Sequence, residues 1–177
     1  MLTAPEPTDT RQMAEAVAEL STLIRAGRLL TARTLERTME GIFGVPASAG
    51  TWNWRTAYDA LEAATAHAML LDPDAPALAV LRSAEAKRPT QTKRSEEQIR
   101  LQQFSTPIPF AFLAAQAAAI TGDDVVLEPS AGTGALASFA KLAGARITVN
   151  EIDPRRRALL EIVTGQRSSG FDAAQID

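Results

Sequence analysis

The chain of 177 residues is 46% apolar and 22% charged, the balance of a soluble globular protein, and no apolar run approaches the roughly 20 residues of a membrane span. It has no cysteine, which excludes disulfides and thiolate metal sites and agrees with a reducing cytoplasm, and its N-terminus, MLTAPEPTDTRQM, lacks the basic-then-apolar order of a secretory signal. A net charge of −3 excludes a global basic field for nucleic acid, so any such contact must be local.

The N-terminal half reads as helical. After a frayed start containing Pro5 and Pro7, Met13, Val17, Leu20, Leu23 and Ile24 recur at helical spacing behind a cap at Thr8 or Asp9, and Gly27 ends the pattern. A second helix runs from Thr31 to Met39 and stops before Gly41 and Gly44. Beyond the loop VPASAGTWNW, a third is marked by Trp54, Tyr58, Leu61 and Ala64 or Thr65. LLDPDAP breaks it, and Pro76 to Ala86 forms a fourth, Ala-rich helix. The one histidine, His67, follows the third helix's pattern; it reads as a packed helix-face residue, and alone it cannot build a multi-histidine site.

Residues 87–103, KRPTQTKRSEEQIRLQQ, change the composition: Lys87, Arg88, Lys93, Arg94 and Arg100 stand among few apolar groups. Glu96 and Glu97 dilute this strip, which is either a solvated connector or a phosphate-contacting surface. It closes a helical subdomain over residues 1–99. From residue 100 the grammar becomes that of an α/β unit. Pro107 or Pro109 opens an apolar helix to Ile120, and DDVVLE reads as a strand. A helix from Gly134 to Ala143 follows, then the strand ARITVNE, then a helix capped by Asp153 with Pro154 in its first turn and running through Val163. This alternation predicts a truncated Rossmann-like parallel sheet of about three strands, the third ending near Asp172. So short a sheet exposes an edge, and either the helical half is expected to pack against the sheet or a second copy of the chain to cover the edge.

The chemistry concentrates after the first of these strands. Val125, Val126 and Leu127 are the continuous apolar run of a buried parallel strand, and Glu128 stands at its carboxyl end. The turn that follows, Pro129, Ser130, Ala131, Gly132, Thr133 and Gly134, is small enough for a ligand to approach the backbone, and ligands of such sheets bind beyond the carboxyl ends of the strands. It is neither a P-loop, having no Lys-Ser/Thr pair, nor a GxGxxG fingerprint. A glutamate at the strand tip repels phosphate and suits a ligand with an amino group or hydroxyls, which S-adenosylmethionine fits better than ATP or NAD. Glu151, at the end of the second strand, stands 23 residues after Glu128, where a carboxylate can accept from both hydroxyls of a ribose. Asp172 is either placed to meet an adenine amino group or an ordinary surface acid.

These residues resemble the class I S-adenosylmethionine-dependent methyltransferases. LEPSAGTGALA is similar to their first motif and NEIDP to their acidic second motif. The segment QQFSTPIPFAFLAA is similar to the stretch before the first strand in adenine-specific DNA methyltransferases. The resemblance implies that Phe104, Ser105, Thr106 and Pro107 border the cofactor. It implies too that Glu128, Ser130, Gly132 and Gly134, with Pro129 and Ala131 between them, hold its amino-acid end. Glu151 and Ile152 would take the ribose and adenine, and Asp172 with the backbone of Ala173 the adenine edge. The helical half, with LTARTLERTMEGIFG and TWNWRTAYDALEAAT, further resembles the start of bacterial strawberry-notch-type proteins, in which a methylase-like region precedes a helicase-type ATPase. DNA is the partner this implies, with the basic strip and Arg155, Arg156 and Arg157 as the candidates for backbone contact. The chain departs from the pattern in lacking an Asn/Asp/Ser-Pro-Pro-aromatic tetrapeptide, which in that family holds the flipped base. No catalytic residue is therefore expected among these residues, and a cofactor- or DNA-docking module is the alternative function.

Overall fold

The computed structural model describes residues 10–72, 78–89 and 105–175. They form an α/β structure, mostly helical, with one two-stranded parallel sheet. Phe104, Lys93, Arg94, Arg100 and the start of the fourth expected helix lie outside the described residues.

Helix α1 (Thr10–Arg25) buries Met13, Ala16, Val17 and Leu20, one stripe of a 3.6-residue period. In α2 (Ala32–Phe43) the Thr31 side chain accepts from the Thr34 N–H at 3.1 Å, and the helix closes on Gly44 in the left-handed conformation. It thus runs past Met39, where the glycine content predicts a stop. Gly41 faces open space, so it costs the helix only propensity, and the extra turn carries Phe43 into the core. Helix α3 (Trp54–Leu70), capped by Asn53, is the central element, and its eleven buried side chains, all alanine, leucine, methionine, threonine or aspartate, surround the helix rather than form one apolar stripe. Trp52 is fully buried beside Phe43, its indole N–H donating to the Val45 carbonyl at 2.8 Å.

Helices α4 (Leu78–Ala86) and α5 (Ile108–Ala117) meet the far end of α3. There Leu81, Ile108 and Ala111 join Ala68 and Met69 of α3 in a second apolar cluster. Strand β1 (Val125–Glu128), helix α6 (Ala135–Leu142), strand β2 (Arg146–Val149) and helix α7 (Pro154–Thr164) complete the order. The strands pair in parallel with Val125 opposite Arg146 and Glu128 opposite Val149. The expected third strand is reduced to a single parallel bridge between Asn150 and Ser169. Asn150 N–H donates to the Glu128 carbonyl, whereas the groups of Val149 and Glu151 meet Ser169, so the bridge lies on the side of β2 away from β1.

Both α6 and α7 cover the same sheet face, where Val149, Ala137 and Leu160 pack with Ile147. The N-terminal helices stack on that helix layer rather than on the sheet: Leu159 and Val163 of α7 share a core with α1, α2 and α3. The opposite sheet face therefore stays open among the described residues. Val125 and Leu127 are each 66% exposed, which corrects the expectation of a strand buried on both faces and of a helical half laid against the sheet. No helix among the described residues is long and apolar enough to cross a membrane.

Candidate functional site

A cleft of ≈ 530 Å³ opens beyond the carboxyl ends of β1 and β2. Its floor is the turn from Pro129 to Thr133, with Asn150, Glu151 and Ile152 following β2, Phe171 to Ala174 on one flank and Ser105 and Thr106 on another. Its volume falls within the range of sites that enclose a small organic molecule.

Asn150 builds this cleft. Its Nδ2 donates to the carbonyls of Pro129 and Phe171, both at 2.9 Å, and its Oδ1 accepts from the Ser169 hydroxyl at 2.7 Å and the Phe171 N–H at 2.9 Å. One buried amide, with every donor and acceptor engaged, ties together the three chain segments that meet at the strand ends. Asn150 is a residue the sequence motifs do not single out. The available signal is an asparagine, a poor strand former, placed directly before the acid of NEID.

Glu151 is 5% exposed, and its carboxylate is fixed by two backbone amides: Gly132 N–H donates to Oε2 at 2.8 Å and Asp153 N–H to Oε1 at 2.9 Å. Each oxygen keeps a second acceptor position, and the residue lines the cleft. The two glycines of the turn serve different surfaces. Gly132 has φ +58, and a Cβ there would lie 2.7 Å from Nη2 of Arg156; Gly134 has φ +99, and a Cβ there would press on Leu160 and Val163 of α7 at 3.2 and 3.3 Å. Gly132 thus admits a guanidinium against the turn, while Gly134 sets how closely α6 meets α7.

Behind the turn lies a buried cluster of charges. Arg156 sits in the first turn of α7 and is 5% exposed; its Nη2 donates to the Ser105 hydroxyl at 2.8 Å and lies 3.9 Å from Glu62 of α3. The Ser105 hydroxyl in turn donates to Glu62. Arg55, two turns earlier on α3, binds Asp153 at 2.6 Å, and Asp153 also caps α7 by accepting from the N–H groups of Arg155 and Arg156. Asp59 lies among these groups. Burial, assisted by the negative charges of Glu62 and Asp153, pushes its pKa up to about 7 against the pull of Arg156 and Arg55.

The cleft gathers Ser105, Thr106, Pro129, Ser130, Ala131, Gly132, Glu151, Ile152, Asp172 and Ala173 of the expected site. Three expected residues stand elsewhere. Pro107 lines a smaller hollow next to it, and Gly134 is buried beneath α7. Glu128 shares the inward face of β1 with Val126, by the two-residue alternation of a strand, and lines an apolar hollow beneath α5 and α6. Burial there raises its pKa. Glu128 is thus not among the residues lining the cleft, although the Ser130 backbone amide that donates to it is part of the cleft floor. Asp172 caps the short 3₁₀ turn Ala173–Gln175 with Oδ1 accepting from Ala174 N–H at 3.0 Å. Of the arginines assigned to a DNA face, Arg156 is buried, and Arg88 of the basic strip pairs with Glu85 at 2.9 Å. His67 is half-buried on α3 with Nδ1 3.1 Å from the Ser21 hydroxyl, and burial lowers its pKa. Among the described residues no group of His, Cys, Asp or Glu is placed to hold a metal ion. Comparison with protein-family models, curated proteins and solved structures gives no match to this chain.

Proposed function

We propose that this chain is the cofactor-binding part of an S-adenosylmethionine-dependent methyltransferase of the adenine-specific DNA type, with β1, β2 and the Ser169 bridge forming the start of a Rossmann-like sheet. The observation that carries it is the Glu151 carboxylate, buried at the rim of a cleft beyond the carboxyl ends of parallel strands and held by the amides of Gly132 and Asp153. A carboxylate so oriented is preorganised to accept from the two hydroxyls of a ribose.

The donor set fits the cofactor. Glu151 would take the ribose, Ile152, which is 44% exposed, and Phe171 offer apolar surface to an adenine, and the Asp172 and Ala173 segment would meet its polar edge. Ser105, Thr106 and the turn from Ser130 to Gly132 would border the remainder. The bound cofactor supplies an electrophilic methyl group; the protein's own residues bind, orient and shield. The base-holding tetrapeptide is not among the 177 residues, so transfer to the adenine amino group belongs to this chain together with a segment that carries that motif. A second function, a non-catalytic cofactor- or partner-docking module of a helicase-type protein, is favoured by the open apolar face of β1.

Calorimetric titration with S-adenosylmethionine tests the proposal. Saturable binding to the wild type is expected, with affinity about tenfold or more weaker in Glu151→Ala, the loss of one hydrogen-bonded charge. Binding that is unchanged in Glu151→Ala, in a variant that melts like the wild type, removes the ribose assignment.

A further inference from the structure

We infer that Arg156 recognises a carboxylate on the ligand of the cleft, so that the site selects a nucleoside bearing an amino-acid end over a bare nucleoside. This rests on the cleft being the S-adenosylmethionine site proposed above, and it moves the anchor of the amino-acid end from Glu128, which is not part of the cleft lining, to α7.

Three observations carry it. Among the described residues lining the cleft, Arg156 is the one base, beside the acids Glu151 and Asp172. It is a buried base with donors to spare: Nη2 is engaged with Ser105, while Nε is buried without a hydrogen-bond partner among the described residues. A guanidinium carries five N–H donors in a fixed fork, and among the described residues Nη2 alone is hydrogen-bonded, which leaves Nη1 to a ligand entering the cleft that Arg156 lines. Finally, the group is held in place. Ser105 accepts from it and donates to Glu62, and the missing side chain of Gly132 lets it lie against the turn that floors the cleft. Glu62 and Ser105 are positioning residues for Arg156, and through them α3 has a part in ligand selection.

Charge selects the kind of anion. A phosphate dianion would meet a single cation flanked by two carboxylates. A ligand that carries an ammonium and a sulfonium with one carboxylate places two positive charges where the lining is acidic and one negative charge where it is basic. Its planar carboxylate also matches the guanidinium fork.

The experiment compares two ligands on the intact chain by calorimetry: S-adenosylmethionine and its decarboxylated counterpart, which differ only in the carboxylate. The wild type is expected to bind the decarboxylated compound about ten- to a hundredfold more weakly, the usual worth of a hydrogen-bonded charge pair. Arg156→Gln should lose that preference and bind both ligands alike, with Arg156→Lys in between because it keeps the charge and loses the fork. Equal affinity of the wild type for the two compounds overturns the inference while leaving the cofactor site standing, and so does an Arg156→Gln variant that still discriminates. Failure of the wild type to bind either compound overturns the cofactor site and this inference with it. The wild-type comparison needs no variant, so the outcome does not depend on how well a chain lacking Arg156 folds.

Discussion

Gly134 and Asn150 show how single positions hold the cleft together. Gly134 combines a left-handed backbone with side chains of α7 at van der Waals distance, so Gly134→Ala meets both strain and overpacking. A loss of about 1–3 kcal/mol is expected, read as a lower urea midpoint. Asn150→Ala leaves the carbonyls of Pro129 and Phe171 and the N–H of Phe171 without their partner. About 2–4 kcal/mol of destabilisation should follow, together with weaker ligand binding, whereas the neighbouring exposed Ile152→Ala should leave the urea midpoint nearly unchanged. Asp59 gives a pH signature. Its pKa rises from 3.8 to about 7 on folding, so between those values the folded state holds a proton that the unfolded state has released. Stability from this group is therefore full at low pH and is lost as pH rises from about 4 to about 7. The unfolding free energy of Asp59→Asn, measured against wild type, should shift in the variant's favour between pH 5 and pH 8; a constant difference would mean that Asp59 does not titrate in this range. At this scale the sequence exposes Glu151, because an acid at a strand end keeps its spacing from the turn. It hides Arg156, since the run Arg155, Arg156 and Arg157 looks like a solvated face until Glu62 of α3 and Ser105 are brought beside its middle member.

The helices were legible because their ends are written in short-range chemistry. Thr31, Asn53 and Asp153 each cap a helix through a side-chain oxygen, and Gly44 and Gly165 close two of them in the left-handed region. The overrun of α2 through Gly41 was not legible, because a glycine's penalty is outweighed when the following turn buries an aromatic side chain, and that burial depends on Trp52 from beyond the loop. Asp153 does more than cap. Its carboxylate accepts from the amides of α7 and binds Arg55 across 98 residues of chain, so it joins the N-terminal helices to the start of α7. Asp153→Ala should therefore cost more than an ordinary cap. About 2–4 kcal/mol is expected, since it removes the nearer carboxylate partner of a buried guanidinium, which keeps Asp59 at 3.9 Å, and the acceptor of two amide donors, against about 1 kcal/mol for Thr31→Ala at the exposed start of α2. Thermal unfolding of the two variants side by side measures the difference; equal losses would reduce Asp153 to a cap.

For the whole molecule, the consequential feature is asymmetry. One face of the two-stranded sheet is covered by α6 and α7, which the N-terminal helices cover in turn, and the other presents Val125 and Leu127 to solvent. The apolar run of β1 cannot reveal this, because a strand buried on both faces and one buried on a single face differ in what packs against them, not in the run itself. An apolar strand with an open parallel edge is a template for association. The chain is accordingly expected to self-associate as its concentration rises, through this face and not through the cleft. Sedimentation velocity across a concentration series checks this: the weight-average sedimentation coefficient should climb for the wild type and stay near the monomer value for Leu127→Lys. The substituted side chain points away from α6 and α7, so the melting temperature should change little. Affinity for S-adenosylmethionine should be retained, because Leu127 does not line the cleft. Association that persists unchanged in Leu127→Lys would place the contact elsewhere on the surface, with the exposed Phe110 and Leu113 of α5 as the next positions to substitute.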